Sequence, residues 1–141
     1  MYTFATERLI AATPASIFAA IQDLTRLARW WGPDGFSNQF EIFEFREGGS
    51  WIFTMHGPDG TVYPNQNQFR RIVPDQQVVI RHLSQPHFQL TITLQPHAQG
   101  TLLQWQQVLD DENVAKAIRH IVEPANEQNL DRLTAEILAG I

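Results

Sequence analysis

The chain contains no cysteine. Disulfide staples, a thiolate nucleophile and a cysteine-based metal site are therefore excluded, and the usage fits a reducing compartment. Lysine is almost absent as well: Lys116 stands alone, and no run of lysines and arginines occurs. Ten basic residues against fifteen acidic ones leave a formal net charge of −5. Phosphate backbones are held by clustered cations, so no nucleic-acid partner is expected. No apolar stretch approaches the roughly 20 residues of a membrane-spanning helix. Residues Met1 to Ile10 include Glu7 and Arg8 and alternate in character, which lacks the basic start and apolar run of a secretory signal. A cytoplasmic protein with no membrane partner is the expectation.

Metal and nucleophile signatures are also missing. No two histidines stand four apart on a helix or two apart on a strand, and His82 and His87 are separated by a proline. A catalytic metal needs three or four converging ligands, so no metal and no cofactor are expected. Ser16, Ser37, Ser50 and Ser84 fall at caps or turns and none lies in a nucleophile elbow. No catalytic residue is assigned.

What is present is a globular composition, 43% hydrophobic and 18% charged over 141 residues, which predicts one domain spanning residues 1–141 with a core of its own. The order of elements is the informative feature. Tyr2, Phe4 and Thr6 alternate in a first strand ending near Ile10. Thr13-Pro14 then opens a helix, because threonine caps well and proline suits the first turn. A second short helix over Asp23 to Trp31 is stopped by Gly32-Pro33-Asp34-Gly35. Strand patterns follow from about Asn38 to Leu109. Trp51, Phe53 and Met55 point one way. Gly57-Pro58-Asp59-Gly60 makes a hairpin, whose return strand puts Tyr63, Asn65, Asn67 and Phe69 on one face. Val78, Ile80 and His82 share a face, then Phe88, Leu90, Ile92 and Leu94, then Leu103, Trp105, Gln107 and Leu109. Asp110 to Ile121 reads as a short helix carrying Val114, Ala117, Ile118 and Ile121. Pro124 should end it and begin a new helix near Glu123, with Leu130, Leu133, Ile137 and Leu138 as its core stripe.

A run of strands closed by a terminal helix predicts an α+β fold, a curved antiparallel sheet wrapped around that helix. Such a sheet has more concave area than one helix covers, and the remainder is a cavity. Its apolar walls should come from Trp31, Trp51, Phe53 and Met55, with Phe69, Phe88 and Trp105. Tyr63, Asn65, His82 and Gln107 fall on the same inward rows, and Asn126 lies on the helix face that carries Leu130 and Leu133. A buried polar group without a partner costs about 1–3 kcal/mol, so these side chains need each other, water or a ligand. An apolar pocket with a few converging polar groups is the usual form of a small-molecule site.

Several segments together resemble a known family. They are Thr13-Pro14-Ala15-Ser16-Ile17-Phe18, Leu27-Ala28-Arg29-Trp30-Trp31-Gly32-Pro33 and Glu44-Phe45-Arg46-Glu47-Gly48-Gly49-Ser50-Trp51. To these are added Met55-His56-Gly57-Pro58-Asp59-Gly60-Thr61-Val62-Tyr63-Pro64-Asn65, Gly100-Thr101-Leu102-Leu103 and Asn129-Leu130-Asp131-Arg132-Leu133. In this order they resemble the START-like, or helix-grip, superfamily (also termed SRPBCC) of polyketide cyclases and plant pathogenesis-related proteins. Within it they resemble the bacterial branch related to the C-terminal domain of the heat shock protein 90 ATPase activator. The resemblance implies the helix-grip fold, with two short helices after the first strand. It leaves three functions open: binding a small, largely apolar molecule in the cavity, a chaperone ATPase-activator-like interaction module with a protein partner, and a cyclase or dehydratase with Tyr63 or His82 as acid or base. The first is favoured, and a monomer or a homodimer is compatible with it.

Overall fold

The computed structural model describes residues 1–140. Seven strands and three helices follow one another as β1 (Tyr2–Ile10), α1 (Pro14–Gln22), α2 (Leu24–Trp30), β2 (Ser37–Phe43), β3 (Ser50–His56), β4 (Val62–Val73), β5 (Gln77–His82), β6 (Phe88–His97), β7 (Gly100–Leu109) and α3 (Glu112–Ala139). The sheet order is β1-β7-β6-β5-β4-β3-β2, every neighbouring pair antiparallel. Thus β2 through β7 form a meander, and β1 joins the far edge beside β7. Register shifts at Phe40/Ile42 and at Phe69/Arg71 sit where such irregularities bend a sheet.

Thr13 caps α1 as the sequence predicts, and Asp23, read as the first residue of the second helix, stands one position before it as its cap. Thr13 Oγ1 accepts from the Ser16 amide at 3.2 Å ahead of α1, and Asp23 accepts from the Thr25 and Arg26 amides ahead of α2. At the β3–β4 turn, Gly60 adopts φ +87°, a conformation that only glycine takes without strain. The inward rows hold as read: Trp51 and Phe53, then Val78, Ile80 and His82, then Leu90, Ile92 and Leu94, then Leu103, Trp105 and Leu109 are all buried.

The reading of the C-terminal region as two helices is corrected by the structure. α3 runs unbroken for 28 residues with Pro124 inside it. An internal proline costs about 3 kcal/mol or more, so something must hold both sides of it. Ala115, Ile118 and Val122 pack with Phe4 and Leu109 before the proline, and Leu130, Leu133 and Ile137 enter the main core after it. Burying each large aliphatic side chain stabilises by about 1.5–3 kcal/mol, enough together to override the proline. The buried face also differs from the expected one. Ala115, not Val114 or Ala117, is covered, and Leu138 is exposed. Ile121, expected in the core, is 60% exposed.

Candidate functional site

Two hydrophobic clusters occupy the concave side of the sheet. The larger lies under α1, α2 and the C-terminal half of α3, and the smaller pins the N-terminal half of α3 to β1 and β7. Between them the sheet and the middle of α3 leave a gap, bordered by the Asn126–Gln107 hydrogen bond. The gap is a cavity of about 620 Å³, lined by β3 to β7, by the 31–36 loop and by α3 from Ile121 to Asn129.

Ten of the twelve expected residues line this cavity: Trp31, Phe53, Met55, Tyr63, Asn65, His82, Phe88, Trp105, Gln107 and Asn126. Trp51 and Phe69 do not. They face inward as expected but lie in the main core, where Trp51 is 0% exposed. Its indole stacks on Phe69 at 5.7 Å and on Phe53 at 4.6 Å, and Trp31 stands edge-on against it at 4.9 Å. The Trp31 ring, carried in by α2, thus covers what would otherwise be wall. Strand alternation gives a side chain's direction, not the depth of material above it.

Among wall residues outside that expected set, Ile80 and Leu90 lie on the same rows as His82 and Phe88, and Asn129 lies three positions along α3 from Asn126. The two periodicities are enough to locate these. Gly32, Pro33 and Phe36 belong to the loop after α2, which reads in sequence only as a stop. That loop is held from beneath. The Arg132 guanidinium on α3 donates to the carbonyls of Arg29, Trp31, Gly32, Pro33 and Phe36. Asn38 adds bonds to the Ala28 and Trp31 carbonyls, and Gln128 Oε1 accepts from the Asp34 amide at 3.1 Å. Glu136 pairs with both Arg26 and Arg29, tying α3 to α2.

His82 is the one imidazole on the wall, 5% exposed, with its ring stacked on Phe88 at 4.4 Å. Nδ1 lies 2.7 Å from the Pro86 carbonyl, and Nε2 lies 2.8 Å from Asn65 Oδ1 and 3.3 Å from Ser84 Oγ. Burial pushes its pKa below the ordinary value, against a smaller opposing effect of the Pro86 carbonyl. In the neutral ring Nδ1–H donates to Pro86, and Nε2 is then an acceptor. The Ser84 hydroxyl can donate to it, whereas Asn65 Nδ2 is held by the Tyr63 carbonyl at 2.9 Å and its oxygen faces Nε2. Elsewhere on the wall, Asn126 Nδ2 donates to Gln107 Oε1 at 3.1 Å, Asn129 Nδ2 to the Trp30 carbonyl at 3.0 Å and Asn67 Nδ2 to the Trp51 carbonyl at 3.2 Å. His56 and His87 do not line the cavity. Among the described residues no three metal-ligating side chains converge, and no helix is long and apolar enough to cross a membrane.

A curved antiparallel sheet gripping a C-terminal helix, with two short helices after the first strand and a cavity between sheet and helix, defines a START-like, helix-grip domain. Within that class the chain belongs to the family described as Activator of Hsp90 ATPase homolog 1-like protein, whose model matches residues 11–137. Solved structures share the fold. A protein from Chromobacterium violaceum superposes with a TM-score of 0.85 at 24% identity, over 96% of each chain. One from Nitrosomonas europaea gives 0.89 at 16% identity, over 98% of this chain and 95% of that one. The AHSA1 protein of Silicibacter pomeroyi gives 0.80 at 24% identity, over 99% and 100%. No functionally curated protein matches the chain.

Proposed function

We propose that this protein binds a small, largely apolar molecule in the cavity between the sheet and α3. The observation that carries the reading is the cavity itself: about 620 Å³, walled by Trp31, Phe53, Met55, Phe88, Leu90 and Trp105, with amide groups and one imidazole set among them. Volumes of about 300–1,000 Å³ with mostly apolar walls and a few polar groups are typical of small-molecule sites. Tyr63 stands at the rim, half exposed, where its hydroxyl can meet a polar end of the ligand. Tryptophan emission tests the reading, because Trp31 and Trp105 are on the wall. Titration with an apolar dye should shift or quench that emission saturably, and amide chemical-shift changes should map to β5, β6 and the middle of α3. Absence of any saturable response would overturn it.

The family's description supports a second reading, a chaperone ATPase activator acting through a protein partner. Stimulation of a heat shock protein 90 ATPase by the purified chain would favour it. An acid–base reaction with Tyr63 or His82 as acid or base ranks below both, because His82 Nε2 is occupied by Asn65 Oδ1 and Ser84 Oγ and Tyr63 makes no hydrogen bond with it. We place the protein in the cytoplasm, on the cysteine-free composition.

A further inference from the structure

We propose that the ligand of this cavity is uncharged and presents hydrogen-bond donors, hydroxyl or amide N–H, to the side-chain oxygens of Asn67 and Asn129. The inference rests on the binding reading above and narrows its chemistry. The wall contains no aspartate, glutamate, lysine or arginine. Arg132, beneath the wall loop, is committed to carbonyl oxygens of residues 29–36. A carboxylate or ammonium ligand would therefore be desolvated without a counter-charge, which is strongly unfavourable.

The asparagines supply the positive half of the argument. Asn67 is 4% exposed and Asn129 6%, and both line the cavity. Each donates its amide N–H to a backbone carbonyl, that of Trp51 and that of Trp30. A carbonyl can only accept, so the orientation of each amide is determined, with nitrogen toward the backbone and oxygen away from it. Neither Oδ1 finds a partner among the described residues. Both oxygens stay accessible from the cavity, where water can bond them; a ligand donor that displaces that water keeps the hydrogen bond, and an analogue without a donor loses it. The Asn126–Gln107 pair, from α3 and β7, adds one further amide oxygen and one further amide NH₂ to the same wall. Trp105, also on the wall, keeps a buried indole N–H without a partner among the described residues. The wall thus offers the Asn67 and Asn129 oxygens to a ligand donor, leaves one indole N–H for an acceptor, and has no charge to match an acid.

Three probes of one skeleton test this: naphthol, its methyl ether and naphthoate, each titrated at neutral pH by tryptophan emission and by competition with an apolar dye. Naphthol is expected to bind about tenfold tighter than the ether, the equivalent of one buried hydrogen bond, and naphthoate to compete weakly or not at all. Asn129→Leu and, separately, Asn67→Leu should reduce the ratio of naphthol to ether affinity severalfold, and a ratio unchanged in both would overturn the assignment of those oxygens. If neither variant folds, the ranking of the three probes on the parent protein decides. An ether that matches naphthol, or naphthoate binding tightest, would overturn the inference and leave the binding reading standing. If the dye and all three probes fail to bind, both fall together.

Discussion

Replacing Arg132 by methionine keeps the length and much of the apolar stem of the side chain and removes its hydrogen-bonding head. In the structure the four N–H groups of its two terminal nitrogens reach five carbonyls at 2.7–3.1 Å, those of Arg29, Trp31, Gly32, Pro33 and Phe36, with one N–H of Nη1 shared between two of them. Hydrogen bonds from a charged donor contribute about 1.5–3 kcal/mol each when measured singly. Five on one planar group are not additive, and the guanidinium loses hydration as it enters the wall, which lowers its pKa. Carbonyls at the rim also regain water in the variant. A net loss of about 3 kcal/mol is expected for Arg132→Met. Arg132→Lys should recover about half, because an ammonium has three donors and lacks the fork that spans this loop. Urea unfolding followed by far-ultraviolet dichroism gives the stability, and dye binding reports the cavity wall independently. A methionine variant within about 0.5 kcal/mol of the parent, or a lysine variant equal to it, would refute the view that this residue holds the 31–36 wall in place.

Two glycines should behave differently. Gly60 has φ +87° with open space where a Cβ would lie, so Gly60→Val should cost about 1–2 kcal/mol from backbone strain alone and leave dye affinity unchanged; a neutral substitution in thermal unfolding would contradict this. Gly32 has φ +95°, and a Cβ there would stand 2.6 Å from the Met55 Cε, so Gly32→Ala should destabilise by a similar amount and also alter dye affinity as Met55 shifts on the cavity wall. Unchanged affinity would show that this contact does not shape the cavity. For His82, burial lowers the folded-state pKa below the ordinary 6.5, so the unfolded chain takes up the proton first as pH falls. Its contribution is complete above about pH 6.5 and declines below that as pH drops through the folded pKa. Urea midpoints measured across that window should fall for the parent and fall less for His82→Gln; equal slopes would refute the assignment.

The strand rows were legible in the sequence because a half-buried strand alternates with a period of two whatever surrounds it. The row Phe88, Leu90, Ile92, Leu94 and the row Leu103, Trp105, Gln107, Leu109 needed no tertiary information. The turns and the first cap were equally local: Gly60 at its hairpin and Thr13-Pro14 at its helix. From the rows came most of the cavity wall, including His82 and Gln107.

Other features depended on contacts between distant parts of the chain. Pro124 is a helix breaker by every local rule, and it lies inside α3 because the packing of Ala115, Ile118 and Val122 on one side and of Leu130 and Leu133 on the other outweighs its cost. Ile121 looked like core and stands at the cavity mouth, because the phase of a long helix is set by what it lies on. Trp51 and Phe69 share the inward face with Phe53, yet Trp31 packs over Trp51, and Phe69 stacks on Trp51 among Phe43 and Phe45. The loop after α2 carries no periodicity at all, and Arg132, about a hundred residues away in sequence, makes it a wall. The sequence by itself determined which residues turn, cap, alternate and face inward, since each of those depends on neighbours a few positions off. Only the tertiary structure decided how deep each inward residue lies and where the space between sheet and helix is left open, because depth and volume belong to the packing of all the elements together.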